Sequence, residues 1–253
     1  MNIADIKTGT VDRPPRIVLA GVEKIGKSTF AAGAPNPVFV PVKGEEGIDA
    51  LDVARTPVVE TYGELVEVIQ ALAEQEHKYK TLVIDSVSTL EPIIWDHLCS
   101  AEGVSGIEKV GGGYGKGYIE AVGKWREIMA GLDYLRDERG MGCILIGHVA
   151  VKTFTDPLGE SYDTYELDIH KKASGALMRW SDCILFANSK AIVKKDEKTE
   201  KRRAIQKSER SLFTQRRPGH MGGGRGVYGH LPYEMDLSWD AFVSAINKEK
   251  EVK

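Results

Sequence analysis

Short apolar runs alternate with longer amphipathic stretches along most of this chain. The apolar runs are continuous, as in parallel strands that are covered on both faces. They lie at residues 17–20, 38–42, 80–85, 140–147 and 182–187. The longer stretches are predicted to be helices, and they lie at residues 61–76, 92–101, 118–139, 174–180 and 238–246. The alternation predicts an α/β fold in which a mostly parallel sheet has helices on both of its faces.

Two of the predicted helices have a clear buried side. In residues 61–76 the apolar face is formed by Leu65, Val68, Ile69 and Leu72, and Thr61 is a suitable N-cap. In residues 118–139 the buried side is expected to carry six apolar residues. These are Ile119, Val122, Trp125, Met129, Leu132 and Leu135.

Glycine-rich and polar segments interrupt this pattern. Residues 103–117 contain too many glycines for a regular element, and residues 152–166 are predicted to be a mobile polar loop. Near the C-terminus, residues 191–193 and 203–213 are expected to pair as a basic β-hairpin, and a flexible glycine turn follows at residues 222–226. The sequence therefore contains several connections long enough to carry function.

We divide the chain into three parts. Residues 1–13 form an N-terminal arm, and residues 14–190 form the α/β core. Residues 191–253 contain the basic hairpin and a C-terminal helix, which we expect to pack on the core.

Composition narrows the class of protein. A length of 253 residues with 42% hydrophobic content fits one domain with appendages and a full core. The three cysteines, Cys99, Cys143 and Cys183, are widely spaced and form no C-x-x-C pair, which indicates free thiols in a reducing compartment. The sequence shows neither a signal-peptide pattern nor an apolar run of membrane-spanning length. A cytoplasmic protein without membrane contact is expected.

Positive charge is concentrated in one segment. Residues 194–217 contain ten Lys or Arg against four Asp or Glu, a local charge of +6 in a chain whose net charge is −3. A concentrated basic segment in a nearly neutral protein indicates contact with a polyanion, and a solvated hairpin of mixed charge is the alternative.

Residues 21–28, GVEKIGKS, satisfy the P-loop pattern G-x-x-x-x-G-K-[ST] at every fixed position. They lie between a predicted strand and a helix, where glycines allow successive N–H groups to face one anion. Lys27 is expected to reach the β- and γ-phosphates, Ser28 to bind Mg²⁺, and Thr29 to lie near the α-phosphate. The nucleotide is predicted to contact the whole loop: Gly21, Val22, Glu23, Lys24, Ile25, Gly26, Lys27, Ser28 and Thr29.

Polar residues also follow three other predicted strands. Glu45 and Glu46 come after the second strand, Asp85 ends the next, and His148 comes after the strand at residues 140–147. An Asp at the end of an apolar strand is the Walker B pattern, which holds the water shell of Mg²⁺. Because ligands bind beyond the carboxyl ends of parallel strands, all four segments are expected to meet at one edge of the sheet. Hydrolysis of ATP needs this combination of phosphate donors, metal carboxylate and water-orienting base.

The chain resembles RecA-type recombinases, and more closely the phage-encoded RecA-core ATPases that act in single-strand annealing. Residues 82–90, LVIDSVSTL, resemble the recombinases' Walker B strand, and residues 45–49, EEGID, resemble the segment after their second strand. The resemblance covers residues 14–190 and implies a RecA-like P-loop NTPase fold with ATP and Mg²⁺ as cofactors. It also implies hydrolysis of ATP to ADP and phosphate, stimulated by DNA.

The resemblance assigns roles to several of these residues. Glu45 is the expected water-activating residue, with Glu46 as second choice, and Asp49 is the expected neighbour of the adenine. His148 occupies the place of the recombinases' γ-phosphate-sensing residue, where they usually carry Gln. Residues 114–118 fall at the first DNA-binding loop of the family, and residues 152–168 fall at the second.

Several residues are candidates for contact with single-stranded DNA. Aromatic rings can stack on bases, and cationic side chains can follow the backbone. The candidates are Lys109, Tyr114, Lys116, Tyr118, Lys152, Lys201, Arg202 and Arg203. The alternative for the glycine-rich segment is a loop whose aromatic residues pack on the core. Four further residues are candidates for a finger that acts on a neighbouring subunit's nucleotide: Lys171, Lys172, Arg210 and Arg225.

The P-loop and the strand-end residues predict an ATP-hydrolysing protein, and the resemblance implies that it is RecA-like and acts on single-stranded DNA in phage recombination or single-strand annealing. A finger supplied by a neighbour requires a homo-oligomer or filament, and a single-strand DNA-binding protein is a further expected partner. Two alternatives remain open. One is a helicase-type or loader P-loop ATPase, and the other is a nucleotide-gated DNA-binding protein without significant hydrolysis.

Overall fold

The computed structural model of the chain describes most of its residues. It describes residues 2–251 except 4, 5, 7, 46, 158 and 196–201, and it describes residues 190–195 and 202–208 by their backbone only.

Strands and helices alternate through the first two thirds of the chain, as the apolar pattern predicts. In chain order the elements are β1 (Arg16–Gly21), α1 (Lys27–Ala32), β2 (Pro37–Pro41), β3 (Ala54–Arg55), α2 (Tyr62–Glu74), β4 (Thr81–Asp85), α3 (Val87–Glu102), α4 (Lys116–Glu138), β5 (Gly142–Gly147), β6 (Val149–Phe154), β7 (Tyr162–Leu167), α5 (Lys171–Trp180), β8 (Cys183–Lys195), β9 (Arg202–Phe213), β10 (Gly223–Gly224), β11 (Glu234–Asp236) and α6 (Trp239–Glu251). Two short 3-10 helices lie at Ile107–Gly112 and Gly226–Gly229.

The main sheet has the strand order β11-β9-β8-β1-β5-β4-β2-β3, and β10 pairs with β8. The strands from β8 to β3 in this order are parallel to one another. At the other edge, β9 pairs antiparallel with β8, and β11 pairs antiparallel with β9. The structure confirms the predicted fold class, a mostly parallel α/β sheet with helices.

Alternate residues of each central strand face opposite sides of the sheet, and each side has its own core. Val18 and Ala20 of β1 face helices α2 to α5, whereas Ile17 and Leu19 face α1 and α6. The fully buried Trp125 of α4 is the largest side chain of the first core. On the second side, Phe30 of α1 packs edge-on against two rings of α6, those of Trp239 and Phe242. Two apolar layers therefore hold the central strands in place.

The structure confirms the helix predicted from Thr61 onward. The Thr61 hydroxyl accepts a hydrogen bond from the Glu64 N–H, and the Glu64 carboxylate accepts one from the Thr61 N–H. This capping box satisfies two of the free donors at the start of α2. Leu65, Ile69 and Leu72 face the core as the pattern requires.

The prediction of a mobile loop at residues 152–166 is wrong for residues 152–154 and 162–166, which form strands. This segment belongs to the hairpin β6–β7, which is paired in continuous register from Val149 opposite Leu167 to Phe154 opposite Tyr162. β-branched and aromatic residues recur through both strands and favour extended structure, whereas the Pro and Gly at 157 and 159 lie in the connecting turn.

The glycine-rich segment at residues 103–117 is partly regular. The 3-10 helix Ile107–Gly112 is anchored by the buried side chains of Ile107 and Val110, three residues apart. Ile119 is 57% exposed, so its predicted burial is wrong. The buried face at the start of α4 is formed instead by Gly117 and Ala121, which lie further round the helix.

The C-terminal part contacts the core through β8 and β9, through β10, which pairs with β8, and through α6. Strand β8 runs through residue 190, the predicted boundary, and continues into its pairing with β9. Helix α6 covers α1 through the ring contacts described above. No helix in the described part of the chain is long and apolar enough to span a membrane.

Candidate nucleotide-binding site

The register of the sheet brings four chain segments to one edge. Pro41 of β2 pairs with Asp85 of β4, Asp85 with Ile146 of β5, and Ile146 with Leu19 of β1. The residues that follow these positions leave the sheet at the same level. The P-loop, Glu45, Asp85 and His148 therefore lie side by side, as the rule for parallel strands predicts.

The P-loop forms a tight turn between β1 and α1. Gly26 has φ +111°, a conformation that residues with side chains rarely adopt, and it is the N-cap of α1. The Lys27 ammonium donates hydrogen bonds to the carbonyl oxygens of Gly21 and Val22, each at 2.9 Å. These bonds use two of the three ammonium donors, so the third can be directed at a phosphate.

Two oxygen donors on the cavity wall suit a hard cation. The Ser28 hydroxyl donates to the Asp85 carboxylate at 2.7 Å. Burial raises the pKa of Asp85, although Ser28 and Lys27 favour its charged form. No group of three or more His, Cys, Asp or Glu in the described residues can hold a metal. Mg²⁺ is usually bound by one or two protein oxygens, and phosphate oxygens and water complete its coordination. Ser28 and Asp85 fit this arrangement.

Glu45 is held by two neighbours. Its Oε1 atom accepts a hydrogen bond from the Ser86 hydroxyl at 2.7 Å and lies 2.7 Å from the His148 Nε2 atom. Burial disfavours the charged form of Glu45, but the bonds from His148 and Ser86 and the charge of Lys27 outweigh it, so its pKa is lowered. An ionised carboxylate in a fixed orientation is suited to activating water.

These groups line one cavity of about 730 Å³. Its lining residues come from all four strand ends and from β9. They are Glu23, Lys24, Gly26, Lys27, Ser28, Thr29, Gly44, Glu45, Gly47, Asp85, Thr89, His148 and Arg210. The cavity combines an anion-binding loop, a metal-binding oxygen pair and an oriented carboxylate, which is the set that hydrolysis of a nucleoside triphosphate requires.

Comparison with known families agrees with this geometry. The sequence profile described as the AAA domain matches residues 13–226. The chain belongs to the AAA domain family. Membership indicates an ATP-binding P-loop ATPase that hydrolyses nucleotide, typically with Mg²⁺. A comparison with curated proteins finds no match.

Three of the predicted site residues of this AAA domain are placed differently or fall outside the described residues. Ile25 is 6% exposed and packs in the core beneath the P-loop. Asp49 lies at the surface, where it accepts a hydrogen bond from Arg55 at 3.1 Å, and it does not line the cavity. Glu46 lies outside the described residues.

The DNA-binding candidates differ in exposure. Tyr114 is fully exposed, and Lys116 is exposed at the start of α4. Tyr118 instead stacks on the His170 ring at 4.3 Å, so it packs within the protein, as the alternative interpretation expects. Lys109 donates to Ser105, and Lys152 lies 3.7 Å from Glu166 on the hairpin β6–β7.

The remaining cationic candidates lie in different surroundings. Lys201 lies outside the described residues, and the side chains of Arg202 and Arg203 lie outside the description too. Among the finger candidates, Lys171 and Lys172 are exposed at the start of α5, and Arg225 donates to the Arg179 carbonyl. Arg210 lines the cavity of its own chain.

Sequence reasoning missed Ser88 and Glu91 of α3. The Ser88 hydroxyl accepts the His148 N–H at 3.0 Å, and a Glu91 oxygen accepts the His170 N–H at 2.6 Å. Glu91 is 4% exposed. Its position on the same helical face as Leu90 and Ile94 was a readable signal, because the apolar stripe of a helix faces the core.

Glu91→Gln is expected to flatten the pH dependence of stability. Burial raises the pKa of Glu91 to about 7 from 4.5, although the His170 N–H favours the charged form. The stability that the protonated carboxyl contributes is therefore complete below pH 4.5 and is lost as the pH rises through 7. Between pH 5 and pH 8 we expect the free energy of unfolding of wild type to fall by up to about 3 kcal/mol. That of the Gln variant should not show this fall.

Urea unfolding of both proteins at pH 5 and pH 8 measures this effect, with Glu67→Gln on the exposed face of α2 as the control. If the free energy of unfolding changed equally with pH in wild type and Glu91→Gln, the raised pKa of Glu91 would be contradicted.

Proposed function

We propose that this AAA domain is an ATPase whose turnover is controlled by single-stranded DNA and which acts in phage recombination or single-strand annealing. The observation that carries the catalytic part is the fixed Glu45 carboxylate, 2.7 Å from both His148 and Ser86 within the P-loop cavity. The annealing part is supported by the resemblance of residues 45–49 and 82–90 to RecA-core proteins.

In this proposal each group in the cavity has its own role in ATP hydrolysis. Lys27 and the P-loop N–H groups bind the phosphates, and Ser28 with Asp85 would hold Mg²⁺, which supplies positive charge to the β- and γ-phosphates. Glu45 accepts a proton from the attacking water, because its lowered pKa keeps it ionised near neutral pH. His148 orients Glu45 and senses the γ-phosphate.

The DNA surface is proposed at the start of α4. Tyr114 offers a fully exposed ring, the exposed Lys116 offers a cation, and Ile119 adds apolar surface. An exposed ring beside a cation is the combination that binds single strands through stacking and phosphate contact.

Two sets of contacts lie between this surface and the nucleotide site. Tyr118 stacks on His170, and the His170 N–H donates to Glu91. The Asp168 N–H donates to the His148 carbonyl at 2.9 Å, so the base of the hairpin β6–β7 is attached to the residue beside Glu45. These contacts support control of hydrolysis by DNA, since a change at Tyr118 can reach His148 through packed groups.

Single-stranded DNA is expected to raise the rate of ATP hydrolysis. Tyr114→Ala should raise the DNA concentration for half-maximal stimulation about tenfold, because losing one stacked base weakens binding by about 1–3 kcal/mol. The rate without DNA should be unchanged. Tyr134→Ala, which removes a half-exposed ring elsewhere on α4, is the matched control. Phosphate release measured against DNA concentration gives both quantities.

A rate that stays constant across all DNA concentrations would contradict DNA control. Reactions with two complementary single strands, and separately with a duplex, identify the task. ATP-dependent annealing supports the proposal, whereas unwinding of the duplex would favour a helicase-type motor. Particle size with and without single strands tests the proposed homo-oligomer or filament, and pull-down with a single-strand DNA-binding protein tests that partner.

A further inference from the structure

Arg210 of β9 reaches the P-loop of its own chain. It pairs across the sheet with Ser189 of β8, and its carbonyl oxygen accepts the Leu237 N–H at 3.3 Å. Its guanidinium extends from this strand towards the loop. A Cβ atom built on Gly26 would lie 3.0 Å from the Arg210 Nη1 atom, and Arg210 lines the same cavity as Lys27.

The charge of Arg210 has a different setting from that of three arginines that form ion pairs. Arg16 and Arg136 both pair with Asp182, and Arg55 pairs with Asp49. Among the side chains that the structure describes, no carboxylate within ion-pair distance of Arg210 is found. A guanidinium is always charged, so an anion that enters the cavity gains from it without breaking an existing ion pair.

The conformation of the P-loop keeps this approach open. Because Gly26 has no side chain, the guanidinium lies directly beside the backbone whose N–H groups form the anion-binding turn. Guanidinium donors form a fork that matches two phosphate oxygens. Arg210 and Lys27 therefore present two cations to one space.

We propose that Arg210 binds the phosphates of the nucleotide held by its own chain. The inference rests on the proposed ATP site and assigns Arg210 a role in cis, whereas the sequence made it one of four candidates for a finger that acts on a neighbour's nucleotide. The charge of the Arg210 guanidinium then comes from the same subunit as the P-loop. Nucleotide binding therefore does not require a neighbouring subunit to supply it.

Arg210→Ala is expected to weaken the binding of Mg²⁺–ATP by the full chain about tenfold or more, since charge-assisted hydrogen bonds to phosphate are among the strongest. Arg210→Lys should be intermediate, because it keeps the charge and loses the fork. Arg126→Ala, which removes an exposed arginine of α4 outside the cavity, should bind as wild type does. Titration calorimetry gives each Kd, and thermal unfolding checks that each variant is folded.

A mixing experiment separates action in cis from action in trans. Lys27→Ala chains keep Arg210 but lose the P-loop lysine, and Arg210→Ala chains keep the P-loop. With single-stranded DNA present, the mixture should hydrolyse ATP at the sum of the two separate rates. A rate well above that sum would mean that Arg210 acts across subunits and would overturn the inference.

The outcomes also separate this inference from the proposed function. If wild type binds no ATP, the proposed function fails. If wild type binds ATP and Arg210→Ala binds it equally well, only the role of Arg210 is overturned.

Discussion

Glu45→Gln is expected to lower the rate of ATP hydrolysis at least about a hundredfold, because general bases contribute about 10²–10⁴ to rate. Affinity for ATP should remain within about threefold of wild type, since the hydrogen bonds of Glu45 go to Ser86 and His148 and not to the P-loop. The amide has nearly the shape of the carboxylate and can still accept the Ser86 hydrogen bond of 2.7 Å. The variant therefore removes the base and largely keeps the cavity. Single-turnover phosphate release and a binding titration measure the two quantities separately.

The control for this prediction is Glu67→Gln, on the exposed face of α2. Glu46→Gln should have a much smaller effect than Glu45→Gln, because Glu45 is the residue held by His148 and Ser86. Turnover that survives in Glu45→Gln and disappears in Glu46→Gln would transfer the role to Glu46.

Lys27→Ala is expected to weaken ATP binding about a hundredfold or more. Charged hydrogen bonds contribute about 1.5–3 kcal/mol each, and 1.4 kcal/mol is tenfold in Kd. Lys27 is 6% exposed. Burial lowers its pKa, against the charges of Asp85, Glu45 and Glu23. Removing the ammonium takes away one of the positive charges that offset Asp85 and Glu45 in the cavity, so repulsion of the phosphates adds to the lost hydrogen bond.

Lys43→Ala is the matched control, since Lys43 is an exposed lysine that pairs with Glu60 outside the cavity. Calorimetric titration with Mg²⁺–ATP checks the prediction, and circular dichroism shows whether the variant is folded. Equal affinity in Lys27→Ala and wild type would mean that the P-loop does not hold the phosphates.

The central sheet and the convergence of its strand ends could be read from the sequence, because both depend on local patterns. Apolar runs identify buried parallel strands, and the rule for their carboxyl ends places Glu45, Asp85 and His148 beside the P-loop. Ser28 bonds to Asp85, and Ser86 bonds to Glu45. Both bonds require the strand ends to lie close together, as the rule predicts.

Other features depend on packing between distant segments and could not be read in this way. The hairpin β6–β7 mixes polar and apolar residues on both faces, so its alternation is weak. The stacking of Tyr118 on His170 depends on how α4 meets α5. The position of Arg210 beside Gly26 depends on the register of β8 and β9, which includes an irregularity between Ser189 and Ala191. A bulge of this kind redirects the side chains beyond it.

The most direct test of the account is the release of inorganic phosphate from ATP by the full chain with Mg²⁺, measured with and without single-stranded DNA beside Lys27→Ala. We expect wild type to release phosphate, single-stranded DNA to raise the rate, and Lys27→Ala to release none above background. Wild type that binds ATP but releases phosphate no faster than Lys27→Ala, with or without DNA, would contradict it.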